Sequence, residues 1–324
     1  MNRNLRIVFM GTPDFAVPSL AILIQNKYNV VGVITAPDKP AGRGQQIQTS
    51  AVKKYAIENG LTILQPEKLK SPDFIEELKK LHANLFVVVA FRMLPDVVWQ
   101  MPQFGTFNLH ASLLPDYRGA APINWAVING EKETGVSTFF LQHDIDTGNI
   151  ILQDKIDIGT EDNAGIVHDK LMQIGSNLVL NTVRAIENNT AVAHPQTPDD
   201  NTNTTKHAPK IFKETCLIDW NKPAIEIHNL IRGLAPFPTA YTYLNGKLLK
   251  IFAANVVEDA FFQSTTNLTY TPKTIENAAF LNIITDNNTF LHIQCKDNYL
   301  NIKELQIEGK RKMNVSEFLK GYKF

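Results

Sequence analysis

Residues 84–90 read Asn-Leu-Phe-Val-Val-Val-Ala, and residues 5–10 read Leu-Arg-Ile-Val-Phe-Met. Near-continuous apolar runs of this length are typical of strands that are buried on both faces of a parallel sheet. A similar run occupies residues 29–35, and the segments 51–59 and 72–81 have the pattern of helices. Because strands and helices alternate, the sequence predicts an α/β fold whose N-terminal part is a Rossmann-like, mostly parallel sheet.

The turn after the first strand bears on the ligand that such a sheet would bind. Dinucleotide sites use a turn with three glycines, which let the backbone approach a pyrophosphate. Here the turn holds a single glycine, Gly11. We therefore predict that the protein has no NAD or flavin site.

The segment 161–188 predicts a long amphipathic helix, because its apolar residues recur at steps of 4, 3 and 4 from Val167. Thr160 is the predicted N-cap of this helix. Beyond it, residues 188–209 are rich in Asn, Thr, Asp and Pro and show no periodicity. Such a composition is typical of a linker.

The C-terminal part has the pattern of antiparallel strands. Residues 241–244 and 247–253 flank Asn245-Gly246, a pair that favours a type I′ hairpin turn because that turn has two positive φ angles. A short helix is predicted at 223–234, and further strands are predicted at 281–285, 290–295 and 299–307. These strands fit a small β-barrel of the oligonucleotide-binding type, with a sandwich as the alternative.

The length suggests two domains, and the charge is unevenly spread along the chain. A chain of 324 residues is long enough for them, and we predict a catalytic domain at 1–189, a linker at 190–207 and a C-terminal domain at 208–324. The formal net charge is zero, but residues 206–324 hold 15 Lys and Arg against 11 Asp and Glu. A mildly basic half can face a polyanion, although a difference this small also arises by chance.

The cysteines and the apolar runs indicate the compartment. Cys216 and Cys295 are too few for a disulfide framework and lack metal-ligand spacing. Gly11 and Pro13 break the first apolar run too early for a signal peptide, and no stretch approaches membrane-spanning length. We expect a cytoplasmic protein without a metal site or a membrane segment.

A polar pattern within one predicted strand carries the first chemical signal. From residue 107 to residue 112, apolar residues alternate with Asn108, His110 and Ser112. Side chains two apart on a strand share a face, so the amide and the imidazole point the same way. Taken alone, such a pair is more often structural than catalytic.

A second segment, residues 144–148, reads Asp-Ile-Asp-Thr-Gly and follows another predicted strand. Its Asp146 could bring a carboxylate to His110, or it could be an ordinary turn residue before a glycine. An amide, an imidazole and a carboxylate together suit acyl-type transfer, because they can stabilise an oxyanion, move protons and orient the proton carrier.

Further motifs extend these two segments over most of the chain. They are Met-Gly-Thr-Pro-Asp-Phe-Ala at 10–16, Pro-Asp-Lys-Pro-Ala-Gly-Arg-Gly at 37–44, Tyr-Arg-Gly-Ala-Ala-Pro at 117–122 and Ile-Arg-Gly-Leu-Ala-Pro-Phe-Pro at 231–238. With them the chain resembles, from end to end, the methionyl-tRNA formyltransferase family of the folate-dependent formyltransferase superfamily.

The resemblance implies an activity and its substrates. It implies that the enzyme transfers a formyl group from 10-formyltetrahydrofolate to the α-amino group of initiator methionyl-tRNA, which then serves translation initiation. Asn108, His110 and Asp146 match the catalytic positions of the family. The implied protein needs neither a metal ion nor NAD, and we expect it to act as a monomer.

The resemblance also implies binding residues. The folate donor would contact six residues, Ser112, Leu113, Leu114, Pro115, Phe91 and Met93, although many family members carry Tyr-Gly near the last two. Arg43 lies in the loop that the family uses to contact the tRNA acceptor end, where a guanidinium can bridge phosphates or stack on a base. The run Lys310-Arg311-Lys312 is a candidate phosphate patch or an ordinary charged surface.

Three alternatives remain open at the level of sequence. A formyltransferase for a small amine, such as an amino sugar or glycinamide ribotide, would not need residues 208–324 or the loop of Arg43. A hydrolase that releases formate would use the same three polar residues with water in place of the amine. An RNA-binding protein with an inactive N-terminal fold would not need to retain all three of those residues.

Overall fold

The computed structural model describes residues 3–41, 46–196, 205–258, 269–273 and 281–324. The chain divides into two compact units. Unit 1 comprises Met1–Gly119, Glu133–Ile156 and His168–His207, and unit 2 comprises Ala120–Lys132, Asp157–Val167 and Ala208–Phe324. Both units therefore consist of segments that are separated along the chain.

The strands of the described residues are β1 Arg6–Gly11, β2 Asn29–Ile34, β3 Lys39–Ala41, β4 Gln46–Gln48, β5 Ile63–Leu64, β6 Leu85–Val89, β7 Thr106–His110, β8 Arg118–Gly119, β9 Glu133–Phe140, β10 Ile150–Asp157, β11 His207–Ala208, β12 Ala240–Leu244, β13 Lys247–Val257, β14 Thr269–Lys273, β15 Leu281–Thr285, β16 Leu291–Gln294, β17 Tyr299–Ile307 and β18 Met313–Asn314. The α-helices of these residues are α1 Val17–Gln25, α2 Ala51–Glu58, α3 Pro72–Lys80, α4 Asp96–Trp99, α5 Pro122–Ile128, α6 Ala164–Glu187, α7 Ala224–Leu234 and α8 Val315–Gly321. Short 3-10 helices occupy Asp14–Ala16 and Glu214–Cys216.

Unit 1 is built on the predicted parallel sheet. Its strand order is β10-β9-β7-β6-β1-β2-β5. The pairs of β1 with β2 and β6, of β2 with β5 and of β6 with β7 are parallel, whereas β7 pairs with β9 antiparallel. The prediction of a mostly parallel α/β sheet from the apolar runs is confirmed.

One face of this sheet is covered by α3 and α4. Val8 and Met10 on β1 and Phe86 and Val88 on β6 belong to one apolar cluster with Phe74 of α3. Each of these side chains is nearly or fully buried. Burial of apolar area of this kind is the main force that holds the layers together.

The opposite face of β7 packs against the long helix α6. At Gly175 α6 lies close to the strand, because a Cβ there would lie 2.9 Å from Cδ2 of Leu109, and the Leu109 side chain would have to shift. The glycine lets the helix approach the strand closely. Leu109 and Phe107 are buried on this face, which leaves Asn108 and His110 on the other.

The start of α6 differs from the prediction. The helix begins at Ala164, so Thr160 is not its N-cap. The side chain of Asn163 accepts a hydrogen bond of 2.9 Å from the backbone N–H of Ile166, which is the capping interaction. Thr160 and Glu161 form a turn before the helix. The apolar spacing predicted the helix correctly, but it carried no information about which of several polar residues caps it.

Unit 2 contains the predicted antiparallel strands. Their order is β12-β13-β17-β16-β15-β14, and β18 pairs with β17. The hairpin turn between β12 and β13 has φ angles of 50° at Asn245 and 74° at Gly246, as a type I′ turn requires. A second apolar core lies in this unit, and Trp220 is its largest fully buried side chain.

Two further segments of unit 2 pack on α7. A Cβ at Gly233 would lie 2.5 Å from Cγ1 of Ile128 in α5, so the two helices approach closely at this glycine. Asn124 of α5 also donates a hydrogen bond of 2.7 Å to the carbonyl oxygen of Gly233. Arg232 of α7, which is buried, donates to the carbonyl oxygens of Gly159 and Asp162. These contacts explain why segments 120–132 and 157–167 group with the C-terminal unit.

Among the described residues, no helix combines the length and the apolar character that crossing a bilayer would need.

Candidate active site

The central strand β7 carries two of the predicted site residues near its carboxyl end. Asn108 lies between Val88 of β6 and Phe139 of β9, and His110 lies beside Ser137 of β9. Ligands of open α/β sheets bind beyond the carboxyl ends of the parallel strands. The polar face of β7 is therefore in the usual place for a substrate site.

The structure brings His110 and Asp146 together. Nδ1 of His110 lies 3.9 Å from Oδ2 of Asp146, and the two side chains are 7% and 16% exposed. This distance is longer than a direct hydrogen bond. The two groups are close enough to interact electrostatically, and little water screens them.

A backbone carbonyl determines which nitrogen of His110 carries the proton. Nε2 of the ring lies 2.9 Å from the carbonyl oxygen of Tyr117. A carbonyl oxygen only accepts hydrogen bonds, so Nε2 is the donor in this contact. In the neutral imidazole, Nδ1 then holds the free lone pair on the side of Asp146.

Asp146 is held in an unusual backbone conformation. Its φ angle is 55°, in the left-handed region, which Asp tolerates better than most residues. Its Oδ2 accepts a hydrogen bond of 3.1 Å from the backbone N–H of Gly119. Two residues later, a Cβ at Gly148 would lie only 1.6 Å from the carbonyl oxygen of Phe140. The acidic turn therefore requires glycine at position 148.

Two backbone groups of segment 117–119 position both members of this pair. The carbonyl of Tyr117 holds the ring of His110, and the N–H of Gly119 holds the carboxylate of Asp146. Tyr117 itself has a φ angle of 60°. Segment 117–119 thus holds the imidazole and the carboxylate next to each other. In the sequence it was noted only as part of a motif.

The predicted folate residues at 112–115 form an ordered loop. Ser112 is fully buried, and its hydroxyl donates a 2.6 Å hydrogen bond to the carbonyl oxygen of Asp116. The hydroxyl of Ser137 donates to the carbonyl oxygen of Ser112 and accepts from the N–H of Leu114. Gln153 donates to the carbonyl oxygen of Leu114 and to the Ser137 hydroxyl. Leu114 is buried, whereas Leu113 and Pro115 are partly exposed.

The other two predicted folate residues follow β6. Phe91 packs against the apolar cluster of unit 1, whereas the Met93 side chain is 69% exposed. Between them, the guanidinium of Arg92 donates to the carbonyl oxygens of Pro66 and Glu67. Burial lowers the pKa of Arg92 from its usual value. These bonds hold the segment in place and leave Met93 at the surface.

The predicted tRNA residue Arg43 lies outside the described residues. The strands on either side of it, β3 and β4, pair with each other antiparallel. Just before β3, Asp38 accepts hydrogen bonds from Lys53 and Gln65, and these hydrogen bonds lower the pKa of its carboxyl group.

The basic run at 310–312 is exposed in unit 2, but its charges are partly compensated. Arg311 forms an ion pair with Glu317, and Nζ of Lys312 lies 2.6 Å from Oε2 of Glu304. Lys312 also lies 4.8 Å from the ring centroid of Phe252. The local positive charge of the run is therefore smaller than its sequence alone suggests.

Sequence reasoning missed several residues that support the site. Gly119, Ser137 and Gln153 act through hydrogen bonds that leave no pattern in the sequence, although the first residue lies within a motif at 117–122. Gln196 was assigned to the predicted linker, yet it hydrogen-bonds to the acidic turn. Glutamine in a Pro-rich, aperiodic stretch carries no local signal of such a contact.

Within the described parts of the chain, no group of three or more His, Cys, Asp or Glu residues has an arrangement that could hold a metal ion.

The fold and the site define a class. The chain belongs to the formyl transferase family: the model of the formyl transferase domain matches residues 5–183, and the model of the formyl transferase C-terminal domain matches residues 210–323. This confirms the resemblance that the motifs predicted.

The relatives make the class more specific. A methionyl-tRNA formyltransferase of Bacteroides fragilis is 51% identical over 324 residues, which is 98% of this chain and 95% of the relative. The methionyl-tRNA formyltransferase of Phocaeicola vulgatus is 54% identical over 328 residues, covering 99% of this chain and 97% of the relative.

Solved structures share the fold at low identity. A sugar 3N-formyl transferase, WlaRD, solved with dTDP and 5-N-formyl-THF, superposes with a TM-score of 0.64 at 22% identity, over 95% of this chain and 100% of that one. HypX from Aquifex aeolicus in complex with tetrahydrofolic acid gives a TM-score of 0.62 at 16% identity, over 98% of this chain and 47% of that one.

Proposed function

We propose that this protein transfers a formyl group from 10-formyltetrahydrofolate to the α-amino group of initiator methionyl-tRNA. The observation that carries the proposal is the grouping of Asn108, His110 and Asp146 at the carboxyl end of the sheet, in a chain about half identical to relatives named for this reaction over nearly its whole length. The folate compounds named with the related folds support the choice of donor. Action as a cytoplasmic monomer is part of the same proposal.

In this proposal Asn108 stabilises the oxyanion. The lone pair of the amine attacks the formyl carbon, and the carbonyl oxygen becomes negative in the tetrahedral intermediate. Asn108 is partly exposed on the same face of β7 as His110, so its amide N–H can reach that oxygen. Loss of such a donor typically raises the barrier by about 3 kcal/mol.

His110 moves the proton. Because Nε2–H is held by the Tyr117 carbonyl, Nδ1 is the basic nitrogen that takes the proton from the attacking amine. The Asp146 carboxylate compensates the positive charge that the ring then gains. The imidazolium returns the proton to the folate nitrogen as the bond between that nitrogen and the formyl carbon breaks. The products are a formylated amine and tetrahydrofolate.

The remaining predicted residues would bind the two substrates. The loop 112–115 and the apolar Phe91 and Met93 would contact the folate. A largely apolar surface with a few fixed backbone polar groups suits its ring system. Arg43 and the run 310–312 would contact the tRNA backbone, and this contact would be electrostatic and sensitive to salt.

The direct test is transfer of label from formyl-labelled 10-formyltetrahydrofolate. The purified protein is mixed with initiator methionyl-tRNA, and separate reactions contain uncharged tRNA, a free small amine or water alone. We expect label on methionyl-tRNA only. Label on the small amine at a similar rate, or release of labelled formate without transfer, would replace this proposal with the corresponding alternative.

A further inference from the structure

The carboxylate of Asp146 is attached to a turn that a distant side chain clamps. Nε2 of Gln196 donates hydrogen bonds of 2.9 Å to the carbonyl oxygen of Asp146 and 2.8 Å to that of Gly148. The two carbonyls belong to the residues on either side of Thr147. One amide group thus binds both ends of the catalytic turn, from a position 50 residues further along the chain.

Arg118 fixes the orientation of this amide. Its Nε and one terminal nitrogen donate to Oε1 of Gln196 at 3.0 and 2.6 Å. A guanidinium only donates and a carbonyl only accepts, so the oxygen of the Gln196 amide must face Arg118 and its nitrogen must face the turn. If the amide were reversed, its NH2 group would face the N–H groups of Arg118, and its oxygen would face the carbonyl oxygens of Asp146 and Gly148.

The contacts close into a ring around Asp146. Arg118 is followed by Gly119, whose N–H binds the Asp146 carboxylate. Strand β8, which consists of Arg118 and Gly119, therefore holds Asp146 in two ways. Gly119 binds its carboxylate directly, and Arg118 holds its backbone through Gln196. Backbone and carboxylate fixed at once leave the Asp146 side chain little rotational freedom.

We propose that Gln196, oriented by Arg118, is a positioning residue that keeps the carboxylate of Asp146 at its working distance from His110. The inference rests on the role of Asp146 in the proposed function. Asp146 has a positive φ angle, and a turn of this kind has alternative backbone conformations within reach when its carbonyls are not held. A displacement of about 1 Å in a catalytic constellation can lower the rate on the order of 100-fold.

Two variants test the donors of Gln196. Gln196→Ala removes them, and Gln196→Glu keeps the size of the side chain and an acceptor for Arg118 but sets a carboxylate oxygen against two carbonyl oxygens. We expect kcat to fall on the order of 100-fold in both variants, with the KM for methionyl-tRNA little changed. Gln173→Ala, at an exposed position on α6, is the matched control and should keep the activity of the unchanged protein.

A double-mutant cycle distinguishes positioning from general stability. If Gln196 acts through the Asp146 carboxylate, Gln196→Ala should cost little further activity in the Asp146→Asn background. If Gln196 only supports the fold, the fold-losses of activity in the two single variants should multiply in the double variant. Arg118→Lys, which keeps the charge but loses the two-point contact, should show a smaller loss and the same dependence on Asp146.

The outcomes separate this inference from the proposed function. If the unchanged protein transfers formyl to tRNA and Asp146→Asn is impaired, but folded Gln196→Ala matches its control or multiplies with Asp146→Asn, the positioning role is wrong. If Asp146→Asn is itself fully active, the catalytic assignment fails instead. If Gln196→Ala does not fold, Gln196→Glu and Arg118→Lys decide by the same criteria, with circular dichroism as the check of folding.

Discussion

At the scale of single residues, the chemistry of the site depends on which atoms can donate hydrogen bonds. The carbonyl of Tyr117 requires a proton on Nε2 of His110, and this leaves Nδ1 as the base beside Asp146. The N–H of Gly119 aims one carboxylate oxygen of Asp146 towards the ring. Both contacts are made by backbone groups of residues 117 and 119.

The first prediction concerns this pair. His110→Ala and Asp146→Asn should each lower kcat by roughly 100-fold or more, because general acid–base catalysis and its electrostatic support are lost. The affinity for methionyl-tRNA should change little, since neither side chain is needed for the charge contacts with tRNA. Single-turnover kinetics and a filter-binding titration measure the two quantities separately. Near-normal turnover in both variants would remove the assignment.

The second prediction concerns His292 in unit 2. Burial, with a smaller contribution from Lys303, lowers the pKa of His292 from 6.5 to about 4, although Asp286 opposes the shift. The unfolded chain therefore binds a proton below pH 6.5 that the folded protein accepts only near pH 4. Stability present above pH 6.5 should be lost as the pH falls to 4, by up to about 3 kcal/mol.

Denaturant unfolding at several pH values measures this loss. His292→Gln should flatten the dependence between pH 6.5 and 4, because the titrating group is gone. His207→Gln, at an exposed position, is the control for the substitution itself. An equal slope in the His292 variant and in the unchanged protein would contradict the prediction.

At the scale of elements, close approach explains where glycine is needed. Gly175 brings α6 onto Leu109, and Gly233 brings α7 onto α5. Gly148 brings the acidic turn against the end of β9. In each case a Cβ would lie closer to a neighbouring atom than real Cβ atoms do, so something would have to shift. At Gly148 the obstacle is a backbone carbonyl, which cannot move aside as a flexible side chain can.

The third prediction follows from this difference. In Gly148→Ala the new Cβ would meet the Phe140 carbonyl oxygen at 1.6 Å, so the acidic turn must shift and Asp146 with it. We expect activity to fall on the order of 100-fold and stability to fall by about 1–3 kcal/mol. Gly321→Ala, where a Cβ meets nothing within 4 Å, is the control. Assays of transfer and thermal unfolding on both variants provide the test, and unchanged activity in Gly148→Ala would show that the turn is not constrained as described.

At the scale of the whole molecule, the proposed tRNA contact of the run 310–312 would compete with ion pairs that are already present. Residues 206–324 hold a small excess of Lys and Arg, but Glu317 and Glu304 already bind Arg311 and Lys312. Exposed pairs of this kind are weak, so a phosphate can displace the carboxylates. Arg311 and Lys312 would then contact phosphates only by giving up these ion pairs.

The fourth prediction uses those carboxylates. If the run 310–312 binds phosphates, changing all three residues to Gln should weaken tRNA binding and reduce the slope of log K against log salt by about 2–3. Glu304→Gln should strengthen binding, because Lys312 loses its competing partner. Changing the exposed Lys70, Lys79 and Lys80 of unit 1 to Gln is the control with the same change in net charge. An unchanged salt slope in the triple variant would exclude the patch.

The sequence by itself determined what depends on local periodicity and local chemistry. Period-two alternation placed Asn108 and His110 on one face of β7, apolar runs indicated the parallel sheet, and Asn245-Gly246 indicated the hairpin of unit 2. Only the tertiary structure decided how Asp146 meets His110, that Asn163 and not Thr160 caps α6, and that Gln196 clamps the acidic turn. The physical reason is that these contacts depend on where packing places side chains and backbone groups that are distant in sequence. No pattern along the chain shows which of several polar groups will lie within hydrogen-bond distance of a given partner.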